Sequence, residues 1–78
     1  MPANPRDKIK KKMAGALNGN EKCTKHLIDL YEFFAQDHEL EAEGLALLVE
    51  NALALQEAIY TFWEATQGPR PKDYRRYL

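Results

Sequence analysis

Apolar positions recur along Glu39–Gln67 at alternating spacings of three and four. One row holds Glu41, Leu48, Leu55 and Phe62, and its companion holds Leu45, Ala52, Ile59 and Thr66. This periodicity predicts one long helix. Glu43, Glu50, Glu57 and Glu64 lie opposite and mark a face that stays in water. The interior is rich in good helix formers and lacks proline; Gly44 is a local weakness. Glu39, Glu41 and Glu43 suit the positive end of the helix dipole. Gly68, Pro69 and Pro71 stop the helix. At ~1.5 Å per residue the rod is roughly 43 Å long. Leu47, Ala54, Ala46, Leu53 and Tyr60 widen the apolar face, with Val49 and Trp63 further round, so the pattern predicts contact with two neighbours.

Upstream, the same reasoning predicts two shorter helices. Asn4 is a capping residue and Pro5 suits a first helical position, giving a short helix over 5–17 with a thin apolar set of Ile9, Met13, Ala16 and Leu17. Met1–Asn4 is expected to be extended or disordered. Asn18-Gly19-Asn20 reads as a break, with Asn20 capping a second helix over 21–36. Cys23, Leu27, Leu30 and Phe34 form that helix's apolar face, widened by His26, Ile28, Tyr31 and Phe33. A tight turn at Asp37-His38 makes the second and third helices antiparallel neighbours. The expected fold class is therefore all-α: a hairpin of a medium and a long helix, preceded by a short helix, in a single small domain. Residues 68–78 form a basic, aromatic tail, either disordered or strapped over a neighbour.

Length adds an oligomer to this picture. A 78-residue chain is marginal as a monomer. The medium helix covers the long one only to about Leu55, leaving Ile59, Tyr60, Phe62 and Trp63 without cover. Rings of that size bury ~150–250 Å² each. A homodimeric helical bundle, antiparallel and built on the long helices, supplies the cover. The expected protein interface comprises Leu55, Ile59, Tyr60, Phe62 and Trp63, with Tyr74 and Tyr77 of the tail.

Charge adds a polarity. Residues 1–12 carry five bases against Asp7, and residues 39–68 carry six glutamates and no base. Residues 69–78 carry Arg70, Lys72, Arg75 and Arg76 against Asp73. Lys8, Lys10, Lys11 and Lys12, with Arg70, Lys72, Arg75 and Arg76 among tyrosines, form a candidate nucleic-acid surface. The acidic body and the lack of a basic recognition helix weigh against it.

Catalytic chemistry finds little footing. Cys23 and His26 are three apart on one helix face, which is half a zinc site or a fragment of a thiol–imidazole pair. A small core cysteine beside an edge histidine explains them better. The glutamates of the long helix face solvent and lack the desolvation that acid–base chemistry needs. No cofactor, metal or catalytic residue is expected. A single cysteine excludes an internal disulfide and fits a reducing, cytoplasmic setting. Glutamates on every heptad argue against a membrane span. The reading is a non-enzymatic adaptor or regulatory module that dimerises and binds another protein, with nucleic-acid binding as the alternative.

Overall fold

A computed structural model describes residues 5–78. Two long antiparallel helices form a hairpin, and a short 3-10 helix lies against it. α1 spans Pro5–Phe34, α2 spans Glu39–Gln67 and η1 spans Tyr74–Tyr77. Among the described residues there is no strand. The expected Asn4 cap and the state of Met1–Asn4 lie outside the described residues.

The expected break at Asn18-Gly19-Asn20 is not there. The 5–17 and 21–36 segments are one continuous helix that ends at Phe34. A heptad row runs straight through the supposed break: Lys10, Met13, Leu17, Asn20, Thr24, Leu27, Tyr31 and Phe34. Met13, Leu17, Asn20 and Thr24 are buried, and this row faces α2. Asn20 is therefore a polar member of the seam and not a cap. Its amide Nδ2 donates to the carbonyl of Ala52 at 2.8 Å. The neighbouring Thr24 hydroxyl donates back to the carbonyl of Asn20 at 2.7 Å. Tertiary burial thus overrides the weak local propensity of the Asn-Gly-Asn run.

α2 has the predicted bounds. Its α1-facing row is Ala42, Leu45, Val49, Ala52, Gln56, Ile59 and Trp63, again alternating by three and four. Small Ala42 and Ala52 let the helices approach closely at the turn end and the middle. Trp63, 1% exposed, fills the open end. The turn is tight: the amide of His38 donates to the carbonyl of Phe34 at 2.9 Å, and Ala42 donates to His38 at 2.9 Å. The rings of Phe34 and His38 meet edge-on at 5.6 Å. At the other end, Gly68 has φ 103°, a conformation that suits glycine, and this ends α2.

Continuity of α1 also changes the covering argument. The first half of α1 runs beside the second half of α2, so Ile59 and Trp63 already have an intramolecular partner. The tail adds to it. Ala14, Leu17 and Tyr74 form a buried cluster, with Ile59, Tyr60 and Tyr77 packed around it.

Gly19 is exposed, helical, and has open space where a Cβ would stand. Gly19→Ala should therefore stabilise the protein by ~0.5–1 kcal/mol. Urea unfolding monitored by circular dichroism measures this; a loss of stability would indicate a real break at that position.

Candidate interaction surface

The hairpin has two broad sides, and they differ in kind. One is crossed by the tail. After Gly68 the chain turns back and η1 lands on α1. Asp73 caps η1 by accepting from the amide of Arg75 at 3.0 Å. The hydroxyl of Tyr74 donates to Oε2 of Glu21, and the guanidinium of Arg75 reaches Oε1 of the same carboxylate at 3.2 Å. Tyr77 packs edge-on against Trp63 at 5.2 Å, with the ammonium of Lys10 5.7 Å from its ring centroid. Arg70 grips Glu57 through two nitrogens at 3.2 Å and Glu64 at 2.9 Å, and its guanidinium lies 4.6 Å from the Tyr60 ring centroid. Of the two possibilities for the tail, the strap is the one found.

The other side has no strap. A second heptad row runs along each helix, one residue before the seam row. On α1 it holds Ile9, Lys12, Ala16, Gly19, Cys23, His26, Leu30 and Phe33. On α2 it holds Glu41, Gly44, Leu48, Asn51, Leu55, Ala58, Phe62 and Ala65. The two rows border a shared shallow groove, lined in its open part by Lys12, Met13, Ala16, Ala58, Ile59 and Phe62. Ile9, Leu30, Phe33, Leu48, Leu55 and Phe62 are all exposed, Phe62 at 56% and Phe33 at 74%. An apolar strip of this kind, interrupted by Lys12, His26 and Asn51, exceeds the scattered apolar residues of an ordinary surface.

The expected interface residues thus fall into two groups. Leu55 and Phe62 lie on the open strip. Ile59 and Tyr60 are half-buried in the hairpin, Trp63 and Tyr74 are buried, and Tyr77 is half-buried within the strap. The open strip includes residues that sequence reasoning passed over as interface: Ile9, Ala16, Leu30, Leu48 and Ala58. Their signal is the second heptad row, which is already visible on α2 as Leu48, Leu55 and Phe62 and becomes legible on α1 only when that helix is read without a break.

The basic residues divide as well. Arg70 and Arg75 are engaged with glutamates. Lys10 lies against the Tyr77 ring of the tail, and Lys8, Lys11 and Lys12 border a shallow depression with Asp7. The structure therefore brings the two basic segments to one end, while three acidic partners neutralise two of the arginines. Cys23 and His26 are both exposed and sit on the open strip. Among the described residues no cluster of three or more His, Cys, Asp or Glu side chains could hold a metal ion. α2 is, by length and composition, apolar enough to cross a bilayer, with Glu50 and Glu57 interrupting its centre. No protein-family model, curated protein or solved structure matches this chain.

The strap carries its own pH dependence. The hydroxyl of Tyr74 holds the Glu21 carboxyl below its ordinary pKa, with Arg75 and Lys25 adding to it and partial burial opposing. Burial, followed by the hydrogen bond to Glu21, pushes the Tyr74 phenol up. The Glu21 contribution is present above the ordinary carboxylate range and is lost as pH falls through the depressed value. The Tyr74 contribution is present below the ordinary tyrosine range and is lost as pH rises through the raised value. Trp63 emission, reporting on Tyr77 above it, should stay blue between these limits and redden at both. Glu21→Gln should flatten part of the acid limb. An unchanged acid limb would remove Glu21 as the source of that transition.

Proposed function

We propose that this chain is a non-enzymatic protein-interaction module that works as a homodimeric helical bundle, an adaptor or regulatory subunit. The observation that carries the reading is the exposed apolar strip along Leu48, Leu55 and Phe62, with Ile9 and Leu30 beside it. A two-helix hairpin has a seam but no enclosed interior, and this one leaves most of its leucines in contact with solvent. Burying a large aliphatic or aromatic side chain contributes ~1.5–3 kcal/mol, so covering the strip is strongly favourable. Dimerisation through it leaves the charged outer surface and the strapped side free for another protein.

Nucleic-acid binding stands second. It draws support from the contact between Lys10 and Tyr77, which joins the lysine-rich start of α1 to the basic tail. It is weakened by the ion pairs that already occupy Arg70 and Arg75. If this reading is right, a mixed nucleic-acid pool is retained at ~50 mM salt and released as salt rises.

Two variants test the first reading. Leu55→Glu should leave helicity intact and convert the dimer to a monomer in sedimentation velocity, because Leu55 lies outside the hairpin seam. Trp63→Ala should destabilise the protomer itself, by ~3–5 kcal/mol. A wild-type chain that sediments as a monomer at micromolar concentration overturns the homodimer.

A further inference from the structure

We propose that the open strip takes a second copy of this chain in one specific arrangement. The copies meet face to face with their helices reversed, α1 against α1 and α2 against α2, about a two-fold axis near the level of Asn20. This rests on the homodimer reading above and adds its geometry.

The first support is the symmetry of the strip. On α1, Ile9 and Leu30 flank a centre of small Ala16, Gly19 and Cys23, with Lys12 and His26 at matching positions inside them and Phe33 beyond Leu30. Reversed against itself, this row sets Ile9 against Leu30 and Ala16 against Cys23. On α2, Leu48 and Phe62 flank Leu55 at equal spacing. Reversal sets Leu48 against Phe62 and Leu55 against Leu55 of the second copy. The small centre of the α1 row lets the backbones approach, while Leu55 fills the centre of the α2 row.

The second support is that both midpoints share one level. A single two-fold axis can serve both helices only if the centres of their rows lie side by side. The α1 midpoint falls at Gly19 and Asn20. The Asn20 amide reaches the Ala52 carbonyl, and Ala52 is within one helical turn of Leu55. The hairpin register therefore aligns the two centres.

Charge selects reversal over the other two-fold arrangement. If the axis ran along the bundle, α1 would pack against α2 of the second copy with both turns at the same end. The last turns of α1, with Asp29 and Glu32, would then lie beside Glu39, Glu41 and Glu43. Reversal avoids this. It brings Lys11, on the outer flank of α1, to the level of Asp29 of the second copy, and does so twice. On α2, reversal about Leu55 places no glutamate at the level of another glutamate. The area is sufficient: the broad side of the molecule measures 56 × 21 Å, and a stable interface takes about 800 Å² from each partner.

Cysteine cross-linking reads this geometry directly. Ala16 is exposed, and nothing in the hairpin depends on its side chain. In Ala16→Cys, mild oxidation should convert most of the protein to a reducible dimer, with mass spectrometry placing the bond between the new thiol and Cys23. Adding Cys23→Ser should abolish that bond. Leu55→Cys on a Cys23→Ser background should also cross-link, through identical positions on the axis. A dimer by sedimentation that forms neither bond overturns the arrangement but keeps the homodimer. A monomer in solution removes both. A monomer that floats with phosphatidylcholine–phosphatidylglycerol vesicles assigns the strip to a bilayer and likewise overturns the proposal.

Discussion

Everything in this fold depends on the fact that two helices can cover only one stripe of each other. The stripe chosen here is a heptad row on each helix, locked in register by the Asn20–Ala52 hydrogen bond. A buried asparagine is a costly residue for a seam unless it finds a partner, and the Ala52 carbonyl supplies one. The net contribution of such a bond is only ~1 kcal/mol, but losing it would leave a buried amide unpaired. The turn at Ala35–His38 and the Trp63 end follow from that register.

The tail solves a local problem that the hairpin creates. Glu57 and Glu64 stand close on α2, and Tyr60 and Trp63 need cover at the open end. Arg70 answers both needs, neutralising the two carboxylates while its guanidinium lies over Tyr60. Tyr74 and Tyr77 then cover Ala14, Leu17 and Trp63 from the same side. The ion pairs are exposed and contribute little individually. Their consequence is positional: the aromatic residues of the tail are committed to one broad side, and the other side is left open.

The long helix, its ends and the all-helical class were legible because the Glu39–Gln67 pattern is long and flanked by strong stop signals. The continuity of α1 was not, because Asn18-Gly19-Asn20 carries the composition of a turn. Only the phase of Asn20, in step with Met13, Leu17, Thr24 and Leu27, argues for helix, and a polar residue in an apolar row is easily read as the row's end. The same error displaced the interface. With α1 cut short, Ile59 and Trp63 lack a neighbour, and the pattern calls for a second chain to cover them. In the structure the first half of α1 and the tail cover both. Phe62 and Leu55 remain open for a different reason: they belong to the row one residue earlier, which the hairpin cannot reach.

That one-residue offset is what makes the outer row informative. A helix with a single apolar row is satisfied by one neighbour. Both helices here carry two adjacent rows, and on each helix the second row precedes the first by one position, so both outer rows emerge on the same side of the hairpin. Had the offsets differed in sign, the two outer rows would lie on opposite sides, and each would need a separate partner. Their convergence, on a side that the strap leaves uncovered, gives one continuous surface with the length of the whole molecule. Small Ala16 and Gly19 stand at its centre, where a leucine would hold an approaching helix away. A surface of this form matches a helical partner of equal length, and a reversed copy of the hairpin meets that requirement along its entire extent.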